Sequence, residues 1–357
     1  MSRRLRVALV APLVAPLAEP FLGGSHAIVH DLVTGLAGEG HGVTLFGADG
    51  SSVPGVEVVR LGIDASSLKP SSFLERTQPD PALESRERAA FLRVAYEIRR
   101  RAGDFDVVHN HAFDAPPFEL LGEAHSAVVH TLHLPPVISR VCRAAAEAAA
   151  AGATLVTVSR SASHSWMEVV GDTRVIRNGV PLDRIKVGTG PRNGWLFVGR
   201  IAPEKGLEAA LAAAEEAGRR MRIIGAPYDL AYHERILQRL DHHELLGPLP
   251  RSAVFVEMAR AEGLLMPAGW DEPFGLTAVE AMAAGTPVAA FAQGALTEIV
   301  EDRVTGFLVP PDDVEALRRC AERFQSIDPR ACRARVEREF DAERMVREYV
   351  QLYSEVA

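Results

Sequence analysis

The segment from residue 262 to residue 291 constrains the fold most, because strand and helix signals alternate within it. Residues 262–266 and 288–291 are short apolar runs typical of buried strands. Between them, Thr277 and Glu280 have the spacing of a capping box, which predicts a helix that begins near Thr277. A glycine and a proline predict its end: Gly285 and Pro287. The segment therefore predicts a β-α-β unit, the building block of a parallel sheet.

The start of this predicted helix suits an anionic ligand. A helix N-terminus presents unpaired N–H groups with a partial positive charge, and Gly275 just before it lets a ligand approach the backbone closely. Glu272 and Glu280 flank this position, and carboxylates accept hydrogen bonds from sugar hydroxyls. Phosphate donors beside hydroxyl acceptors indicate a nucleotide sugar. From these residues alone, it stays open whether Glu280 only caps the helix and Glu272 is only solvated.

The same segment also carries a longer pattern. Seven residues separate Glu272 from Glu280, with Phe-Gly after the first glutamate and Ala-Met-Ala-x-Gly-x-Pro-Val after the second. This pattern resembles the donor-site signature of the family 4 retaining glycosyltransferases. The resemblance implies an α/β GT-B fold, in which two Rossmann-like domains face each other across a cleft. It also implies the donor-site residues Phe274, Gly275, Leu276 and Thr277, beside the two glutamates.

Length and composition agree with a two-domain globular protein. The chain has 357 residues, of which 47% are hydrophobic and 24% are charged. The formal charge of −8 argues against nonspecific binding to nucleic acid or anionic membranes. The three cysteines have neither metal-ligand spacing nor a disulfide framework, so we expect a cytoplasmic protein. Alanine, arginine and glycine usage suggests a bacterium of high GC content.

The N-terminus resembles a signal peptide, since arginines precede an apolar run at residues 7–11. Pro12, Pro16 and Pro20 interrupt that run, and Glu19 lies where a cleavage site would be expected. A buried first strand over residues 6–13 explains the same residues better. No stretch of the sequence is long and apolar enough to span a membrane.

A glycine pair follows this first strand, at Gly23 and Gly24, before a predicted helix over residues 26–36. Two glycines at a helix start can cradle a phosphate, although the spacing alone favours a simple turn. The resemblance to the family implies that Gly23 and Gly24 belong to a loop that closes over the donor pyrophosphate and the acceptor.

Four histidines follow two later predicted strands. His109 and His111 end the strand over residues 105–109, while His130 and His133 end the strand over 127–132. Ligands of open α/β sheets bind at such strand ends. A zinc site and simple hydrogen-bonded structure both stay open, although no HxxxH or cysteine pattern supports zinc. The resemblance implies that His133 lies near the donor sugar and acceptor, with His109 and His111 on the acceptor side.

Two further features of the first half bear on function. The predicted helix over residues 84–101 is rich in arginine, which leaves open a contact with a membrane or an anionic acceptor. Interspersed glutamates favour an ordinary solvated face instead. The run Asp104-Phe105-Asp106 resembles a metal-binding DxD motif, but it precedes a strand, so we read it as turn residues and expect no metal.

The strand and helix pattern restarts in the second half. A strand over residues 195–198 leads into the loop Gly-Arg-Ile-Ala-Pro-Glu-Lys-Gly, whose cations are Arg200 and Lys205. An arginine fork beside a lysine can hold a diphosphate, although two such cations can also be simple surface residues. The loop resembles the G-R-x-x-x-x-K-G signature of the same family, which implies that Arg200 and Lys205 bind the donor diphosphate.

These features predict four segments of the chain. Residues 1–184 form the acceptor-side domain, residues 185–193 form a polar linker, and residues 194–340 form the donor domain. Residues 341–357 contain an amphipathic helix that crosses back to the first domain, as the family resemblance implies.

The resemblance implies a metal-independent retaining hexosyltransferase without a cofactor. Its substrates would be a nucleotide-diphosphate sugar, a UDP-sugar first with GDP- and dTDP-sugars left open, and a hydroxyl of a small molecule or glycan. The expected catalytic residues are His133, Arg200, Lys205 and Glu272. The expected donor-binding residues are Gly23, Gly24, Arg200, Lys205, Glu272, Phe274, Gly275, Leu276, Thr277 and Glu280. Three alternatives stay open: a sugar phosphorylase or nucleotide-sugar epimerase on the same architecture, a binding regulator without turnover, and a lipid-acceptor transferase at the membrane surface.

Overall fold

The computed structural model describes residues 3–68, 78 and 80–357. The chain divides into two compact units: the first comprises Met1–Asn178 and Ala342–Ala357, and the second comprises Gly179–Asp341. Part of the loop expected near the acceptor, residues 69–77 and 79, lies outside the described residues.

The residues expected to form a linker, 185–193, instead pack within the second unit. Ile185 is buried, and Gly188 N donates a hydrogen bond to the Ala284 carbonyl. The Arg192 guanidinium donates to Thr286 Oγ1 at 2.6 Å. Polar composition suggested a solvated linker, but the Gly188 N–H and the Arg192 guanidinium donate hydrogen bonds to other parts of the same unit.

Strands and helices alternate along both halves of the chain. Up to residue 178 they are β1 (Arg6–Val10), α1 (Gly24–Gly38), β2 (Gly42–Phe46), β3 (Glu57–Val59), α2 (Pro81–Arg100), β4 (Val107–Asn110), α3 (Ala115–Ala124), β5 (Val128–Leu132), α4 (Ser139–Ala150), β6 (Thr154–Thr157), α5 (Arg160–Val170) and β7 (Arg174–Val175). From residue 179 they are β8 (Trp195–Val198), α6 (Leu207–Glu216), β9 (Met221–Ile224), α7 (Leu230–Leu240), β10 (Glu244–Gly247), α8 (Arg251–Arg260), β11 (Gly263–Met266), α9 (Leu276–Ala283), β12 (Val288–Phe291), α10 (Leu296–Ile299), β13 (Gly306–Val309), α11 (Val314–Ala321), α12 (Pro329–Glu339) and α13 (Ala342–Val356).

Each unit is built on one parallel sheet. Among the described residues, the sheet of the first unit has the order β3-β2-β1-β4-β5-β6-β7, and that of the second has the order β10-β9-β8-β11-β12-β13. Every pairing within the two sheets is parallel. Parallel sheets are covered by helices, which explains why strands such as β1 and β11 are continuous apolar runs.

The strand order reverses once in each sheet, between β1 and β4 and between β8 and β11. At such a reversal the connections leave toward opposite sides and open a crevice beyond the carboxyl ends of the strands. The loops after β1 and β4 carry Gly23 and His111, while the loops after β8 and β11 carry Lys205 and Glu272. The expected site residues thus follow the strands that flank the two reversals.

The last helix, α13, belongs to the first unit and packs against α1. Its buried residues follow helical spacing: Met345, Val346, Tyr349, Leu352 and Tyr353. The contact with α1 is close at Gly35, where a built Cβ would lie 2.5 Å from Val346 Cγ2. Glycine therefore lets the two helices approach at this point.

We expect Gly35→Ala to destabilise the first unit. Alanine favours helix by about 1 kcal/mol over glycine, but overpacking against a stiff β-branched side chain costs about 1–3 kcal/mol. In a Val346→Ala background the clash is gone, so Gly35→Ala becomes neutral or stabilising there. Urea unfolding of the four chains of this double-mutant cycle gives the coupling.

Gly38→Ala is the matched control, because no atom lies within 4 Å of a Cβ built at Gly38 in the same helix. We expect it to leave stability unchanged or raise it slightly. An equal gain in stability from Gly35→Ala in both backgrounds would contradict the close contact between α1 and α13.

Candidate functional site

The loops after β8 and β11 meet through a glycine in the second unit. Gly206 has φ +72°, and a Cβ built on it would lie 1.6 Å from the Pro267 carbonyl oxygen. Gly269 N also donates a hydrogen bond to the Glu204 carbonyl at 3.1 Å. A side chain at position 206 would force these loops apart, so glycine is required both for the left-handed backbone and for the close approach.

This approach joins Lys205 to Glu272. Lys205 Nζ donates to Glu272 Oε2 at 2.8 Å, and Trp270 Nε1 donates to the same oxygen at 2.8 Å. The ammonium also lies 5.0 Å from the centroid of the Trp270 ring, within range of a cation–π interaction. The sequence predicted both charged residues as site residues, and the structure places them in direct contact.

Arg200 lies at the start of the same loop and is held by an aromatic ring. Its guanidinium carbon is 4.3 Å from the centroid of Tyr228, and one terminal nitrogen lies 3.4 Å from Glu204 Oε1. The side chains of Arg200 and Lys205 keep 24% and 19% of their surface exposed. Both cations are thus partly ordered by neighbours and still reachable by a ligand.

The helix after Glu272 begins one residue earlier than the sequence indicated. Gly275 is the N-cap, in the left-handed conformation at φ +91°, and its helix is Leu276–Ala283. The predicted capping box of Thr277 and Glu280 is wrong, because the helix has no side-chain cap. Leu276 and Thr277 are half-buried in its first turn, where backbone N–H groups lack helical partners.

Glu280 points into a buried ion pair instead of capping the helix. Arg251 Nε, from α8, donates to Glu280 Oε1 at 2.8 Å, and the two side chains are only 7% and 8% exposed. A buried carboxylate of this kind is stable only with a close cation and further hydrogen bonds. Arg251 therefore fixes the position of the second glutamate of the motif.

The remaining residues of the motif brace the loop. Phe274 is buried, and its ring packs edge-on against Phe340 at 6.0 Å. Gly294 has φ +56° and lies so close to Glu272 that a built Cβ would come within 2.5 Å of its backbone nitrogen. Ala295 N donates to the Glu272 carbonyl at 2.9 Å. The backbone of Glu272 is therefore held by the loop after β12.

Three of the four histidines form a hydrogen-bonded row in the first unit. His111 Nδ1 lies 2.9 Å from His133 Nε2, and His111 Nε2 lies 3.1 Å from His109 Nδ1. His130 points away from the row, stacked on Phe118 at 4.5 Å with Nδ1 accepting from the Asn110 amide. Alternate residues of a strand face opposite sides, which explains this separation.

The row continues into the last helix. His109 Nδ1 lies 2.6 Å from Tyr353 Oη, and His109 Nε2 lies 2.8 Å from Thr131 Oγ1. Tyr349 Oη in turn lies 2.9 Å from Thr131 Oγ1. The His109, His111 and Tyr353 side chains are fully buried, while His133 keeps 9% exposure. His133 is thus the end of the row that reaches the surface.

Burial keeps these imidazoles neutral at neutral pH. Desolvation lowers the pKa of His133 to about 4 and the pKa of His130 to about 3. The pKa values of His109 and His111 lie well below the ordinary value, first through desolvation and then through neighbouring histidines. Among the described residues, no group of three or more His, Cys, Asp or Glu side chains has the arrangement of a metal site.

The glycine pair lies at the start of α1. Gly23 is the N-cap, with an extended backbone, and a Cβ built on it would meet no atom of the described residues within 4 Å. Gly24 is the first residue of the helix and is exposed. The surrounding residues of the chain therefore leave room beside Gly23 at this helix N-terminus.

Most arginines of α2 are engaged within the protein. Arg86 and Arg93 donate to the backbone carbonyls of Ser67 and Gly62, both at 2.9 Å. Two others pair with carboxylates, Arg88 with Glu119 and Arg100 with Glu97, and Arg101, just after the helix, pairs with Glu57. These contacts account for much of the basic character that the sequence showed. Within the described residues, we find no helix of sufficient length and apolarity to cross a membrane.

The residues of the DxD-like run also have structural partners. Asp106 accepts hydrogen bonds from the backbone N–H and the guanidinium of Arg6, which hold the pKa of its carboxyl below the ordinary value. Asp104 pairs with Arg101 at 3.1 Å. Both carboxylates therefore tie the start of β4 to its neighbours, as turn residues do.

Sequence reasoning missed several residues that complete these groups. Arg251, Tyr228 and Trp270 hold the charged residues of the second unit, and Tyr353 and Thr131 extend the histidine row. One signal was present for Tyr353, which lies on the buried face of an amphipathic helix, where a hydroxyl needs a partner. Arg251 had no such signal, since its partner lies far along the chain.

Comparisons with known proteins agree with this arrangement. A family model described as "Glycosyltransferase Family 4" matches residues 22–184, and one described as "Glycosyl transferases group 1" matches residues 183–335. A glycogen synthase of Mycobacterium tuberculosis is 30% identical over 93% of this chain and 91% of its own length. A D-inositol 3-phosphate glycosyltransferase of Kribbella flavida is 28% identical over 87% and 85%.

Solved structures show the same fold. A sucrose-phosphate synthase from Thermosynechococcus elongatus superposes with a TM-score of 0.82 at 21% identity, covering 99% of both chains. HepE of Anabaena, solved with UDP and glucose, superposes with a TM-score of 0.76 at 17% identity, covering 98% of this chain and all of its own. The fold is the α/β GT-B fold with two Rossmann-like domains. The chain belongs to the family 4 glycosyltransferases.

Removing the cation of the buried pair should destabilise the second unit strongly. In Arg251→Met, Glu280 loses its ion-pair partner in a buried position, which typically costs about 3–5 kcal/mol. Arg219→Met is the control, because Arg219 and Glu262 form an exposed pair at 2.8 Å, and such pairs contribute about 1 kcal/mol or less. Urea unfolding measures both losses.

Replacing both partners tests the cause. In Arg251→Met with Glu280→Gln, the buried charge is gone, so part of the lost stability returns. Equal small losses in Arg251→Met and Arg219→Met would show that the buried ion pair does not stabilise this unit.

The neutral histidines make the first unit sensitive to acid. The unfolded chain takes up protons on these side chains near pH 6.5 and the folded chain does not, so stability rises with pH in this range. It should be level above about pH 7 and fall below about pH 6.5. As the pH falls, each such histidine lowers the free energy of unfolding by about 1.4 kcal/mol per pH unit, until its pKa in the folded protein is reached.

Tryptophan fluorescence can follow the first unit alone. The chain has three tryptophans, of which Trp166 lies in the first unit. In the variant Trp195→Phe, Trp270→Phe, urea unfolding at pH 7.5, 6.5 and 5.5 then reports on that unit. A free energy of unfolding that stays constant or increases toward pH 5.5 would rule out neutral buried histidines.

Proposed function

We propose that this glycosyltransferase is a metal-independent, retaining hexosyltransferase that uses a nucleotide-diphosphate sugar, with a UDP-sugar favoured. Its acceptor is a hydroxyl of a small molecule or glycan. The observation that carries the proposal is the contact of Lys205 with Glu272 at the strand reversal of the second sheet, with Arg200 on the same loop. This site offers cations for a diphosphate beside a carboxylate for sugar hydroxyls.

Arg200 and Lys205 would bind the diphosphate. When the bond between the anomeric carbon and the phosphate oxygen breaks, its electron pair stays on the phosphate, and two fixed cations stabilise that charge. The N-terminus of α9 adds backbone N–H donors and a partial positive charge. The two side chains and the helix would together provide the stabilisation that a metal ion gives in other transferases.

The two glutamates would orient the donor. Glu272 would accept hydrogen bonds from hydroxyls of the sugar. Glu280, fixed by Arg251, would accept hydrogen bonds from hydroxyls of the ribose. Without a donor, Lys205 and Glu272 neutralise each other. A bound nucleotide sugar would give each of them a new partner, since the diphosphate pairs with the ammonium and a sugar hydroxyl donates to the carboxylate.

His133 would position the sugar or the acceptor from the first unit. Transfer with retention then proceeds on one face of the sugar: the acceptor oxygen bonds to the anomeric carbon as the phosphate leaves, and the acceptor proton moves to a phosphate oxygen. No side-chain nucleophile is part of this scheme. The arrangement of two cations around the leaving phosphate supports it, because they stabilise the charge before the proton arrives.

The relatives support the donor class more than the acceptor. HepE was solved with UDP, which favours a UDP-sugar here. The names of the two curated relatives refer to different molecules, D-inositol 3-phosphate and glycogen, so they leave the acceptor open. A lipid acceptor receives less support, because most arginines of α2 are engaged within the protein.

A donor screen tests the proposal. We expect one of UDP, GDP, ADP or dTDP, or its sugar, to raise the melting temperature by several degrees, unchanged by EDTA. Lys205→Met should lose about 1.5–3 kcal/mol of binding, roughly ten- to a hundredfold in Kd, as expected for a charge-assisted hydrogen bond to phosphate. Calorimetric titration of both chains gives the Kd values.

Lys186→Met is the matched control, since Lys186 is an exposed lysine of the same unit. It should bind like the unchanged chain. Stabilisation that disappears with EDTA would overturn metal independence. Equal losses of binding in the two variants, or equal losses of stability and turnover in Lys205→Met, would remove the role proposed for Lys205.

A further inference from the structure

The histidine row, defined as His109, His111 and His133, is continuous with hydroxyl groups at its buried end. Its contacts run from Tyr353 through His109 and His111 to His133, at 2.6, 3.1 and 2.9 Å. The other nitrogen of His109 contacts Thr131 at 2.8 Å. The surface end is different: within the described part of the chain, no residue hydrogen-bonds to His133 Nδ1.

A neutral imidazole carries one N–H, so the protons of this row are coupled. If His109 Nδ1 is bare, its single lone pair is shared by the two donors that reach it, the Tyr353 hydroxyl and His111 Nε2, and His111 is then bare at Nδ1. His133 must then donate through Nε2, which leaves its own Nδ1 bare. If His109 carries its proton on Nδ1, every step reverses, and His133 presents an N–H at Nδ1. The row therefore has two consistent arrangements.

The two hydroxyls that flank His109 favour opposite arrangements. Tyr353 donates best when Nδ1 is bare, and Thr131 donates best when Nε2 is bare. A phenol is the more acidic hydroxyl and the stronger donor, and its contact is the shorter, 2.6 Å against 2.8 Å. Distances below 2.8 Å are typical of O–H donors, whereas N–H donors lie nearer 2.9 Å. Both comparisons favour Tyr353 as the donor.

We propose that Tyr353 is a positioning residue that sets the tautomer of His133, so that Nδ1 of His133 is a hydrogen-bond acceptor. The group it recognises is a hydroxyl of the sugar or the acceptor, which has a proton to donate. A phosphate oxygen has none at neutral pH and would meet a bare nitrogen. The part of this proposal that concerns the substrate rests on the proposed function, while the tautomer itself is a property of the free protein.

Tautomers can be read directly by NMR. In long-range 15N–1H spectra of protein labelled with [15N]histidine, a bare imidazole nitrogen and an N–H nitrogen have well-separated shifts. The signals of His133 among the twelve histidines are identified from the spectrum of His133→Gln. At pH 7.5 we expect His133 in the unchanged chain to be bare at Nδ1 and protonated at Nε2. His109 and His111 should show the same tautomer, and the reverse tautomer in the three histidines would contradict the proposal.

Two substitutions separate the competing hydroxyls. Tyr353→Phe keeps the ring but removes the donor, so Thr131 takes over and the tautomer ratio of His133 shifts by roughly fivefold or more, the factor of one buried hydrogen bond. Thr131→Val removes a partner of His109 Nε2 that accepts in one arrangement and donates in the other, so it should shift the tautomer ratio less than Tyr353→Phe does. Tyr349→Phe is the control, because Tyr349 lies on the same helix but its hydroxyl, among the residues that the structure describes, contacts Thr131 and not His109.

Three outcomes would overturn the proposal: a proton on His133 Nδ1 in the unchanged chain, unchanged tautomers in Tyr353→Phe, or a reversal in Thr131→Val. The spectra need no substrate, so these outcomes are independent of the donor screen. A bare Nδ1 on His133 together with no nucleotide binding would support the role of Tyr353 in setting the tautomer and reject the proposed transferase function. A proton on His133 Nδ1 together with nucleotide binding would reject only the role of Tyr353.

Discussion

The second unit depends on the close approach of two loops at the reversal of its strand order. A parallel sheet brings the carboxyl ends of β8 and β11 to one edge, but the side chains of their loops meet only because Gly206 has no Cβ beside the Pro267 carbonyl. Because Lys205 is the residue before Gly206, this contact also determines where Lys205 lies. Its pairing with Glu272 is thus a consequence of backbone geometry as much as of charge.

Charge then determines which of these residues are rigid. Glu280 is buried with Arg251, so a partner within the protein fixes its position. Lys205 is partly exposed although Glu272 beside it is buried, so the ammonium can exchange its partner more easily than Arg251 can. The Tyr228 ring satisfies no hydrogen bond of the Arg200 guanidinium, and Glu204 contacts one of its terminal nitrogens. Within the described residues, its other donors are therefore left for an anion. The site combines one fixed carboxylate with two cations that can adapt.

Sequence predicted the strands well, because buried parallel strands are continuous apolar runs, as in β8, β9 and β12. It failed where a local signal was misleading or missing. Two prolines hid α3, although its first turn tolerates them, and the exposed edge strand β10 lacked an apolar run. The start of α9 was misplaced because a left-handed Gly275, and not a side chain, caps the helix.

The site residues divide in the same way. Motif residues such as Lys205 and Glu272 could be found because each belongs to a short pattern, but Arg251 and Tyr353 complete their groups from distant parts of the chain. Neither belongs to a motif, since what they satisfy is the hydrogen-bonding capacity of a buried partner. A buried glutamate needs a cation and a buried imidazole row needs a terminal donor, whatever element supplies it. The residues expected to contact the substrate therefore lie in short sequence motifs, whereas the residues that orient them come from distant parts of the chain and are brought close by the fold.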